Sequence, residues 1–436
     1  MTEMKAVAQK KVEETKTLSH RHETLFLWDV RKSNPNGDPN GNEPRIDRYT
    51  KRCDVTDVCV KRAVRNYLAQ KHGVGALLVT RLGEDASRIV TLTERIEELA
   101  REGDVLNVVK SCLTQNGIDS ETVESKLEEV SERLKALKTT KDAKHQDDNI
   151  RKGLEKEQQN LKEIHKYLTE NSTKNLKTLL ENDTLRSSLI RPLRALFCQK
   201  FYDLRMFGSV LAIRGGSDLA ELGGPLTGPI QIEIGTSLHR VVQSNKQITS
   251  VMAPDKQQNV LEEGEEAEHG GGLFGDTHCI EYGLFATSAI ANEYAAKDTG
   301  LTDENHKLFL EALWRGVRER HTRSKNAVPR LMIDIEYSKP FHCGDLISTI
   351  ELEPVERDGK RLEEEQFRDA RDFSLKLDKL YAKLNKHKAI IETIRFVSND
   401  LLKMESFKKS LEDELQTKVQ EFVGMDYDPE SANTKA

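Results

Sequence analysis

Residues 25–65 decide the fold: LFLWDVRKSNPNGDPNGNEPRIDRYTKRCDVTDVCVKRAVR. The first six are apolar at every position except Asp29, and a short apolar run that ends at turn residues predicts a strand buried on both faces. Residues 34–41 read NPNGDPNG, where Pro and Gly interrupt regular structure and Asn and Asp favour turns. A buried strand followed by a structured loop is therefore expected.

A helix is predicted to follow this loop. It should start at Thr56 or Asp57, because both residue types are good N-caps. Apolar side chains then recur with helical spacing at Val60, Val64, Tyr67 and Leu68. Three cations lie off that apolar face, namely Lys61, Arg62 and Arg65. This basic cluster suggests a surface that receives phosphates, and a solvated helix face is the alternative.

Composition limits the possible classes of protein. The 436 residues are enough for two or three domains, and residues 1–20 are expected to form a mobile tail. No apolar run approaches the ~18 residues of a membrane span, so no membrane partner is expected. The six cysteines form no CxxC pair, which favours reduced thiols in a cytoplasmic protein. Phosphate-loop, HExxH and GxSxG motifs do not occur, and no cofactor is predicted.

Helical and β-type patterns alternate irregularly along the rest of the chain. Two apolar stripes, 123–137 and 154–168, predict an antiparallel helical hairpin, with a long coiled coil as the alternative. Strands are expected at 201–211, 230–234, 280–289 and 331–337, and helices at 305–320 and 361–422. This order predicts an α+β fold with helical additions and argues against a doubly wound parallel sheet.

Further cations and carboxylates are candidate site residues. Arg323 and Lys325 form a basic turn before a strand, a placement that suits backbone phosphates. Phe207 and Gly208 follow Arg205 in an expected strand, where glycine either admits a ligand backbone or marks a bulge. The aspartates of residues 29–57 are interpreted mainly as caps and turn formers, in preference to a metal site.

These segments together resemble one family, the backbone subunit of type I CRISPR Cascade complexes, which belongs to the RAMP superfamily. They look most like its subtype I-B form. Besides 25–50 and 55–68, the resemblance is carried by DLRMFG (203–208), GPLTGPIQIEIGTSLHRV (224–241), FGDTHCIEYGLFA (274–286) and HTRSKNAVPRLMIDIEY (321–337). The motifs keep the family's order, and the helical stretch 81–186 is longer than the family pattern leads one to expect.

The resemblance implies a ferredoxin-like, RRM-type antiparallel sheet as a palm, formed by 21–80 and 187–355. It implies an inserted, fingers-like helical lobe at 81–186, a thumb hairpin at about 246–277 and a C-terminal helical region at 356–436. The implied function is non-catalytic. Several copies would line one CRISPR RNA in a prokaryotic cytoplasm beside other Cascade subunits. Bases would be displaced at intervals, and the remaining bases would pair with target DNA.

Particular residues are implied for these roles. RNA contacts are expected from Asn34, Asn36, Arg45, Arg52, Lys61, Arg62, Arg65, Arg205, Phe207, Gly208, Arg214, His239, Arg323 and Lys325. A thumb wedge at the displaced base is expected from Met252, Leu273 or Phe274. No metal ligands are implied.

Two other functions are considered. Type III relatives of this superfamily cut RNA with a loop aspartate after the first strand, and Asp38 occupies a comparable loop, so a metal-dependent endoribonuclease is the alternative. A generic helical scaffold would explain 84–186 and 361–422 but leaves the Asn/Pro/Gly loop without a purpose.

Overall fold

A computed structural model describes residues 16–80, 103–139, 146–170, 183–209, 226–249, 274–322, 324–402, 404–415 and 418–422. Its strands are β1 Arg21–Ser33, β2 Arg45–Ile46, β3 Cys53–Val55, β4 Gly208–Ser209, β5 Leu226–Thr227, β6 Ile230–Ile232, β7 Gly235–Ser237, β8 Gln243–Thr249, β9 Phe274–Ala291, β10 Ala327–Tyr337, β11 Glu351–Pro354, β12 Glu356–Arg357, β13 Lys360–Arg361, β14 Phe373–Lys376, β15 Ile391–Ser398 and β16 Val419–Glu421.

Its helices are α1 Asp57–His72, α2 Gly103–Gln115, α3 Ser120–Thr139, α4 Gln146–Glu170, α5 Asp183–Lys200, α6 Tyr202–Phe207, α7 Glu293–Thr299, α8 Asp303–Glu319, α9 Asp378–Lys386 and α10 Glu405–Leu415. Short 3-10 turns lie at Val74–Ala76, Ile347–Thr349, Glu364–Gln366, Ala370–Asp372 and Asp400–Leu402. The chain divides into two compact units. The sheet unit comprises Leu18–Tyr67, Ile230–Glu293 and Thr302–Ala436, and the helical unit comprises Met1–Thr17, Leu68–Pro229 and Tyr294–Leu301.

The sheet unit is built on a ten-stranded, mostly antiparallel sheet. Its main path runs β16-β15-β10-β1-β9-β7-β3-β2, and β6 and β8 also pair with β9. Strand β1 is central, with β10 on one side and β9 on the other. Among the strand pairs of the described residues, only β15–β16 is parallel. A register shift between Leu27 and Trp28 accommodates Pro329 in β10, since proline cannot donate a ladder hydrogen bond.

Both faces of β1 are covered, as its apolar sequence predicted. Leu25 and Leu27 belong to a buried cluster that includes side chains of α9 and α10. On the other face, Phe26 lies 6.3 Å from Trp314 of α8 and Trp28 lies 5.6 Å from Phe285 of β9, measured between ring centroids. Because successive strand side chains point to opposite faces, a strand that is apolar throughout requires helices on both sides.

The helical unit contains the predicted hairpin. Val130 and Leu134 of α3 pack against Leu154 of α4. Val123, nearer the start of α3, shares a cluster with Ile164, nearer the end of α4. This order of contacts makes the two helices antiparallel, which confirms the helical hairpin predicted from the two stripes.

Two predictions of secondary structure are wrong. Residues 201–211 were expected to be a strand, but Tyr202–Phe207 is a helix that ends at Gly208. Residues 361–422 were expected to be helical, yet they contain β14, β15 and β16, and β15 pairs with β10 inside the large sheet. The region 356–436, which was predicted to be helical, therefore supplies strands to the sheet as well as the helices α9 and α10.

The units also differ from the predicted domain ranges. Residues 187–229, which were assigned to the palm, fall in the helical unit, and the sheet unit extends past residue 355. All six cysteines are free thiols. None of the described helices is both long and apolar enough to cross a membrane.

Candidate nucleic-acid interface

The loop after β1 is held to the start of α1 by a side-chain cap. Asn36 Oδ1 accepts hydrogen bonds from the Thr56 backbone N–H at 2.9 Å and from its hydroxyl at 2.8 Å. The Thr56 hydroxyl in turn accepts from the backbone N–H of Cys59 at 3.3 Å, as an N-cap does. Asn36, predicted to contact RNA, therefore fixes the loop against the helix that carries the basic cluster.

Asn34 and Lys325 join the same loop to the turn before β10. The Lys325 ammonium donates to the Asn34 carbonyl at 2.6 Å. Burial lowers the pKa of Lys325, and the Arg320 charge lowers it further. Asn34 is only 2% exposed, and its side-chain amide donates to the Asn42 carbonyl at 2.6 Å. Both residues thus build the loop from inside, and the buried Asn34 side chain presents little surface to RNA.

A small cavity of about 40 Å³ lies under this junction. It is lined by apolar side chains of β1 and α1, including Trp28 and Val60, together with Asn34 and Lys325. Arg320 donates to the Cys59 sulfur across it at 2.9 Å. The loop, the first turns of α1 and the turn before β10 are therefore one packed surface, which the sequence did not predict.

Asp38 has structural partners in the same loop. Its carboxylate accepts from the Asn40 backbone N–H at 2.9 Å and lies 3.3 Å from the Arg45 guanidinium. The backbone of Asp38 also bonds to Glu43 and Asn42. Asp38 therefore acts as a turn former and as the partner of Arg45, in agreement with the structural interpretation of the loop aspartates.

Helix α1 carries its cations as predicted. Val60, Val64, Tyr67 and Leu68 are all buried. Lys61 is half-buried and pairs with Asp57 one turn earlier at 2.9 Å, whereas Arg62 is exposed and Arg65 is half-buried. Arg52, at the start of β3, is exposed as well. The predicted cations Arg45, Arg52, Lys61, Arg62 and Arg65 all lie in the sheet unit.

Sequence reasoning missed Arg48 and Tyr49. Both are exposed in the turn between β2 and β3, and the Tyr49 side chain is 95% exposed. The signal was available, since RYTKR (48–52) places one aromatic residue among three cations. Aromatic side chains interleaved with cations are typical of surfaces that bind single-stranded nucleic acid.

The end of β8 and the start of β9 are the described part of the thumb predicted at about 246–277. They pair antiparallel from Gln243 opposite Ile280 to Thr249 opposite Phe274. Phe274, one of the three wedge candidates, is the first residue of β9. Met252 and Leu273, the other two, lie outside the described residues, as do Arg214 and Arg323.

His239 is not placed to contact RNA. It is 1% exposed, its Nδ1 donates to the Arg240 carbonyl at 2.8 Å, and its Nε2 accepts from the Leu284 backbone N–H at 3.2 Å. Burial lowers the pKa of His239 to about 4, so the ring is neutral at pH 7. The prediction of an RNA contact is corrected to a core role.

Arg205, Phe207 and Gly208 also have structural roles, and they lie in the helical unit. Arg205 donates to the Cys198 and Gln199 carbonyls at 2.7 and 2.6 Å, which satisfies the end of α5. Phe207 is buried. Gly208 has φ +66°, and an added Cβ would lie 2.0 Å from the Leu226 carbonyl oxygen. The close approach that glycine permits is thus made by β5 and not by a ligand.

The sequence singled out Asp29 without finding its partner. Arg330 of β10 donates to the Asp29 carboxylate at 2.8 Å, and the Tyr282 hydroxyl donates to it at 3.2 Å. Burial raises the pKa of Asp29, and the Arg330 charge opposes that effect. This buried network joins β1, β9 and β10 four residues before the end of β1.

Among the described residues, His22, His306 and Asp334 form a cluster whose geometry could hold a metal ion. Asp334 accepts from His22, His306, Thr24 and Arg395 at 2.9 to 3.1 Å. Burial alone would raise the pKa of Asp334, but the two histidines outweigh it and hold that pKa well below its usual range. The Arg395 guanidinium already compensates the carboxylate charge, so the cluster fits a buried hydrogen-bond network better than a metal centre.

Comparison with known proteins identifies the family. The sequence profile of the family CRISPR-associated protein Cas7 matches residues 20–378, so the chain belongs to this family. It is 24% identical over 404 residues to the CRISPR-associated protein Cas7 of Haloferax volcanii, which covers 89% of this chain and 90% of that protein.

Two solved structures are similar to the chain. One is from a CRISPR RNA-guided surveillance complex, pre-nicking, with a TM-score of 0.43 and 14% identity, covering 87% of this chain and 93% of that one. The other is from a CRISPR RNA-guided surveillance complex, with a TM-score of 0.37 and 13% identity, covering 87% and 91%. The family assignment rests on the profile match.

Proposed function

We propose that this chain is a non-catalytic backbone subunit that binds CRISPR RNA in a Cascade-type antiviral surveillance complex. The observation that carries the proposal is the family match, because residues 20–378 include the loop after β1, helix α1 and both described arms of the β8–β9 hairpin. Several copies would line one guide RNA beside other Cascade subunits. Subtype I-B remains our assignment on the ordered motifs of the sequence.

The chemistry of the interface supports a grip on phosphate and sugar. A protein that holds guides of any sequence must leave base edges free for the target strand, so its contacts should be to the RNA backbone. Exposed cations on helix α1 and in the turn between β2 and β3 provide such contacts. In this proposal Arg52 and the α1 cations Lys61, Arg62 and Arg65 contact phosphates. Asn34, Asn36 and Lys325 hold the loop in shape.

The β8–β9 hairpin is proposed as the thumb. Seven residue pairs, from Gln243–Ile280 to Thr249–Phe274, extend the hairpin from the sheet unit. Its tip would displace one nucleotide at regular intervals, with Phe274, Leu273 or Met252 as the apolar wedge. The bases between displaced positions would pair with target DNA. The sheet unit would be the ferredoxin-like, RRM-type palm, and α3 with α4 would form the fingers.

The phosphate grip is tested with the double variant Lys61→Ala/Arg65→Ala. Each lost contact to single-stranded RNA should reduce the slope of log affinity against log salt by about 0.7, so the double variant should lose about 1.4. RNA affinity should fall by the same factor for every spacer sequence, because phosphates carry no sequence information. Binding is measured by fluorescence anisotropy with labelled RNAs of different sequence.

Two controls accompany this test. Lys152→Ala/Lys156→Ala removes two exposed cations of the same spacing from α4 and should change binding much less. Lys61→Arg/Arg65→Lys keeps the charges and should bind nearly as the natural chain does. A loss that depends on spacer sequence, or an equal loss in the α4 control, would contradict a phosphate grip by α1.

The alternative function is a metal-dependent endoribonuclease that uses Asp38. It is tested by incubating the assembled complex with RNA complementary to the guide and a divalent metal. Cuts at regular spacing that disappear in Asp38→Ala would overturn the non-catalytic proposal. Asp38→Asn is the matched variant, because it can still accept the hydrogen bond from the Asn40 backbone N–H.

A further inference from the structure

The turn between β2 and β3 presents an aromatic ring to solvent on a firm support. Tyr49 is 95% exposed, the highest value among the exposed large hydrophobic side chains of the described residues. Its backbone N–H donates to Asp47 Oδ1 at 3.1 Å. Asp47 Oδ1 also accepts from the Thr50 N–H at 2.6 Å and from the Thr50 hydroxyl at 2.8 Å.

The backbone of this turn is closed at both ends. The Asp47 N–H donates to the Arg52 carbonyl at 2.8 Å, and the Lys51 N–H donates to the Asp47 carbonyl at 3.0 Å. Hydrogen bonds from the Thr50 backbone and hydroxyl lower the pKa of Asp47, so its carboxylate stays ionised at neutral pH and keeps the turn together. These hydrogen bonds fix the turn, so Tyr49 is exposed on an ordered turn although its ring does not pack into the core.

The charge around Tyr49 is positive. Between residues 45 and 52 the chain has four cations, and its one carboxylate, Asp47, is used inside the turn. Arg48, Lys51 and Arg52 are exposed and lie one to three positions from Tyr49 in the chain. A purely apolar partner would leave three cations without compensation, whereas a polyanion with flat aromatic groups satisfies both the charges and the ring.

The turn is anchored next to the proposed thumb. The Lys51 carbonyl accepts from the Val241 backbone N–H at 2.9 Å, two residues before β8 begins. Strand β2 ends the path of the large sheet, so the turn lies at a sheet edge. The ring is therefore held near the base of the β8–β9 hairpin by direct backbone bonding.

We propose that Tyr49 stacks on a base of single-stranded RNA while Arg48, Lys51 and Arg52 contact the adjoining phosphates. This inference rests on the proposed function and adds to it a base-stacking residue outside the cationic face of α1. Stacking is tolerant of sequence because every base has a flat face, so Tyr49 is compatible with guides of any sequence. A base held in this way is withdrawn from pairing with a target strand.

The test compares Tyr49→Ala with the natural chain on two probes, oligoadenylate RNA and an abasic ribose-phosphate chain of equal length. Loss of one stacked base lowers affinity for oligoadenylate by about fivefold or more. Affinity for the abasic chain, which offers only phosphates and sugars, should stay unchanged. Tyr49→Trp should restore oligoadenylate binding, and Tyr49→Leu should behave like Tyr49→Ala because it is apolar without an aromatic face.

Tyr294→Ala is the matched control. Tyr294 is 56% exposed and has the Lys297 ammonium 5.4 Å from its ring centroid, yet it lies on α7 and outside the proposed interface. It should leave binding of both probes unchanged. Circular dichroism of each variant checks that the chain is folded.

Three results would overturn the inference. Equal affinity of Tyr49→Ala and the natural chain for oligoadenylate would remove the stacking role while leaving the phosphate grip of α1 intact. Leucine that serves as well as tyrosine, with a change in RNA-free self-association, would mean that a second copy of the chain covers the ring. A natural chain that binds neither probe would remove the proposed function together with the inference.

Discussion

Asp29 and Arg330 form a buried ion pair between residues 301 positions apart in sequence. Removal of one partner from such a pair leaves an uncompensated buried charge, which typically costs about 3–5 kcal/mol. Arg330→Met should therefore lower the free energy of unfolding by an amount of that order. Urea denaturation followed by Trp fluorescence measures it, because Trp28 lies on the strand that carries Asp29.

An exposed pair provides the control for this change. Arg371 and Asp369 lie 2.8 Å apart, with the arginine side chain 71% exposed. Arg371→Met should change the unfolding free energy far less, because water screens exposed charges. Equal effects of the two substitutions would mean that the Asp29 network does not hold the three central strands together.

Burial of His239 makes the free energy of unfolding depend on pH. Its folded pKa is about 4 against an ordinary 6.5, because burial disfavours the charged ring. Between these values the unfolded chain binds a proton that the folded chain does not, so stability rises with pH across this window. The contribution is on the order of 3 kcal/mol at full extent. His239→Gln should flatten the dependence of the unfolding free energy on pH between about 4 and 6.5.

An unchanged slope in His239→Gln would mean that burial of this ring does not set the pH dependence of stability. His306 is also buried with a lowered pKa, again mainly through burial, and supplies the comparison. It should keep part of the slope in the single variant. A variant that lacks both imidazoles should show the flattest profile if the two buried rings are responsible.

At this scale the sequence predicted which residues are unusual but not what they contact. Asp29 stood out in an apolar strand, and Asn36 stood out in a turn-rich loop. Their partners, Arg330 and Thr56, depend on strand register and loop closure, which no local pattern encodes. His239, which the resemblance implied as an RNA contact, is buried, and its burial likewise depends on the fold and not on the local sequence.

Helices α1 and α8 approach each other at a glycine. A Cβ added at Gly316 would lie 2.4 Å from the Ala63 carbonyl oxygen, so Gly316→Ala forces the two helices apart. Overpacking of this kind typically costs about 1–3 kcal/mol. Differential scanning calorimetry should show a lower melting temperature for this variant.

Gly153 supplies a mid-helix control in α4. A Cβ there meets nothing within 4 Å. Gly153→Ala should therefore stabilise its helix by about 0.5–1 kcal/mol, because alanine has the better helix propensity. Opposite signs for two Gly→Ala changes in helices would confirm that contact, and not propensity, decides the effect at Gly316. A stabilised Gly316→Ala would show that the helices do not approach so closely.

Strands and helices were predicted correctly where their buried faces are continuous. A strand was missed where its pairing with the neighbouring strand is irregular. Strand β1 and helix α1 follow from their apolar patterns alone. Strand β15 was missed because Ile391 and Ile394 are three residues apart, a helical spacing. A register shift between Glu336 and Tyr337 of β10 accounts for it, since it displaces Ile391 relative to the rest of the strand.

Helix α6 was mistaken for a strand because Phe201–Leu211 is rich in aromatic and apolar residues. Tertiary hydrogen bonds override that composition. The buried Asp203 carboxylate accepts from the backbone N–H groups of Leu78 and Val79 at 2.9 and 3.0 Å, more than 120 residues away in sequence. Such a requirement for a distant acceptor is not visible in the local sequence.

At the scale of the whole molecule, the division into two units was not predictable in detail. Each unit is assembled from three separate stretches of chain, and the helical unit takes in Tyr294–Leu301 from between two stretches of the sheet unit. Insertions are located in a sequence by changes in composition. The eight residues Tyr294–Leu301 are too few to produce such a change. An α+β fold was expected from the irregular order of strands and helices, and an antiparallel sheet was expected from the family resemblance.

The β8–β9 hairpin allows a test of assembly without loss of the fold. Deletion of residues 255–271 leaves the seven described pairs of the hairpin and the large sheet untouched. The variant should therefore fold and bind RNA through α1. It should leave the guide exposed at the displaced positions, so that nuclease digestion of the assembled complex cuts the RNA there. Unchanged protection of the guide would refute the thumb assignment.

RNA sequencing after purification shows whether this chain holds CRISPR RNA. The chain is tagged in its native host, purified beside the Lys61→Ala/Arg65→Ala variant, and the bound nucleic acid is sequenced. We expect repeat-derived RNA of uniform length, in particles much larger than 49.5 kDa, with less RNA on the variant. Cellular RNA of mixed origin, or equal RNA on both chains, would contradict it.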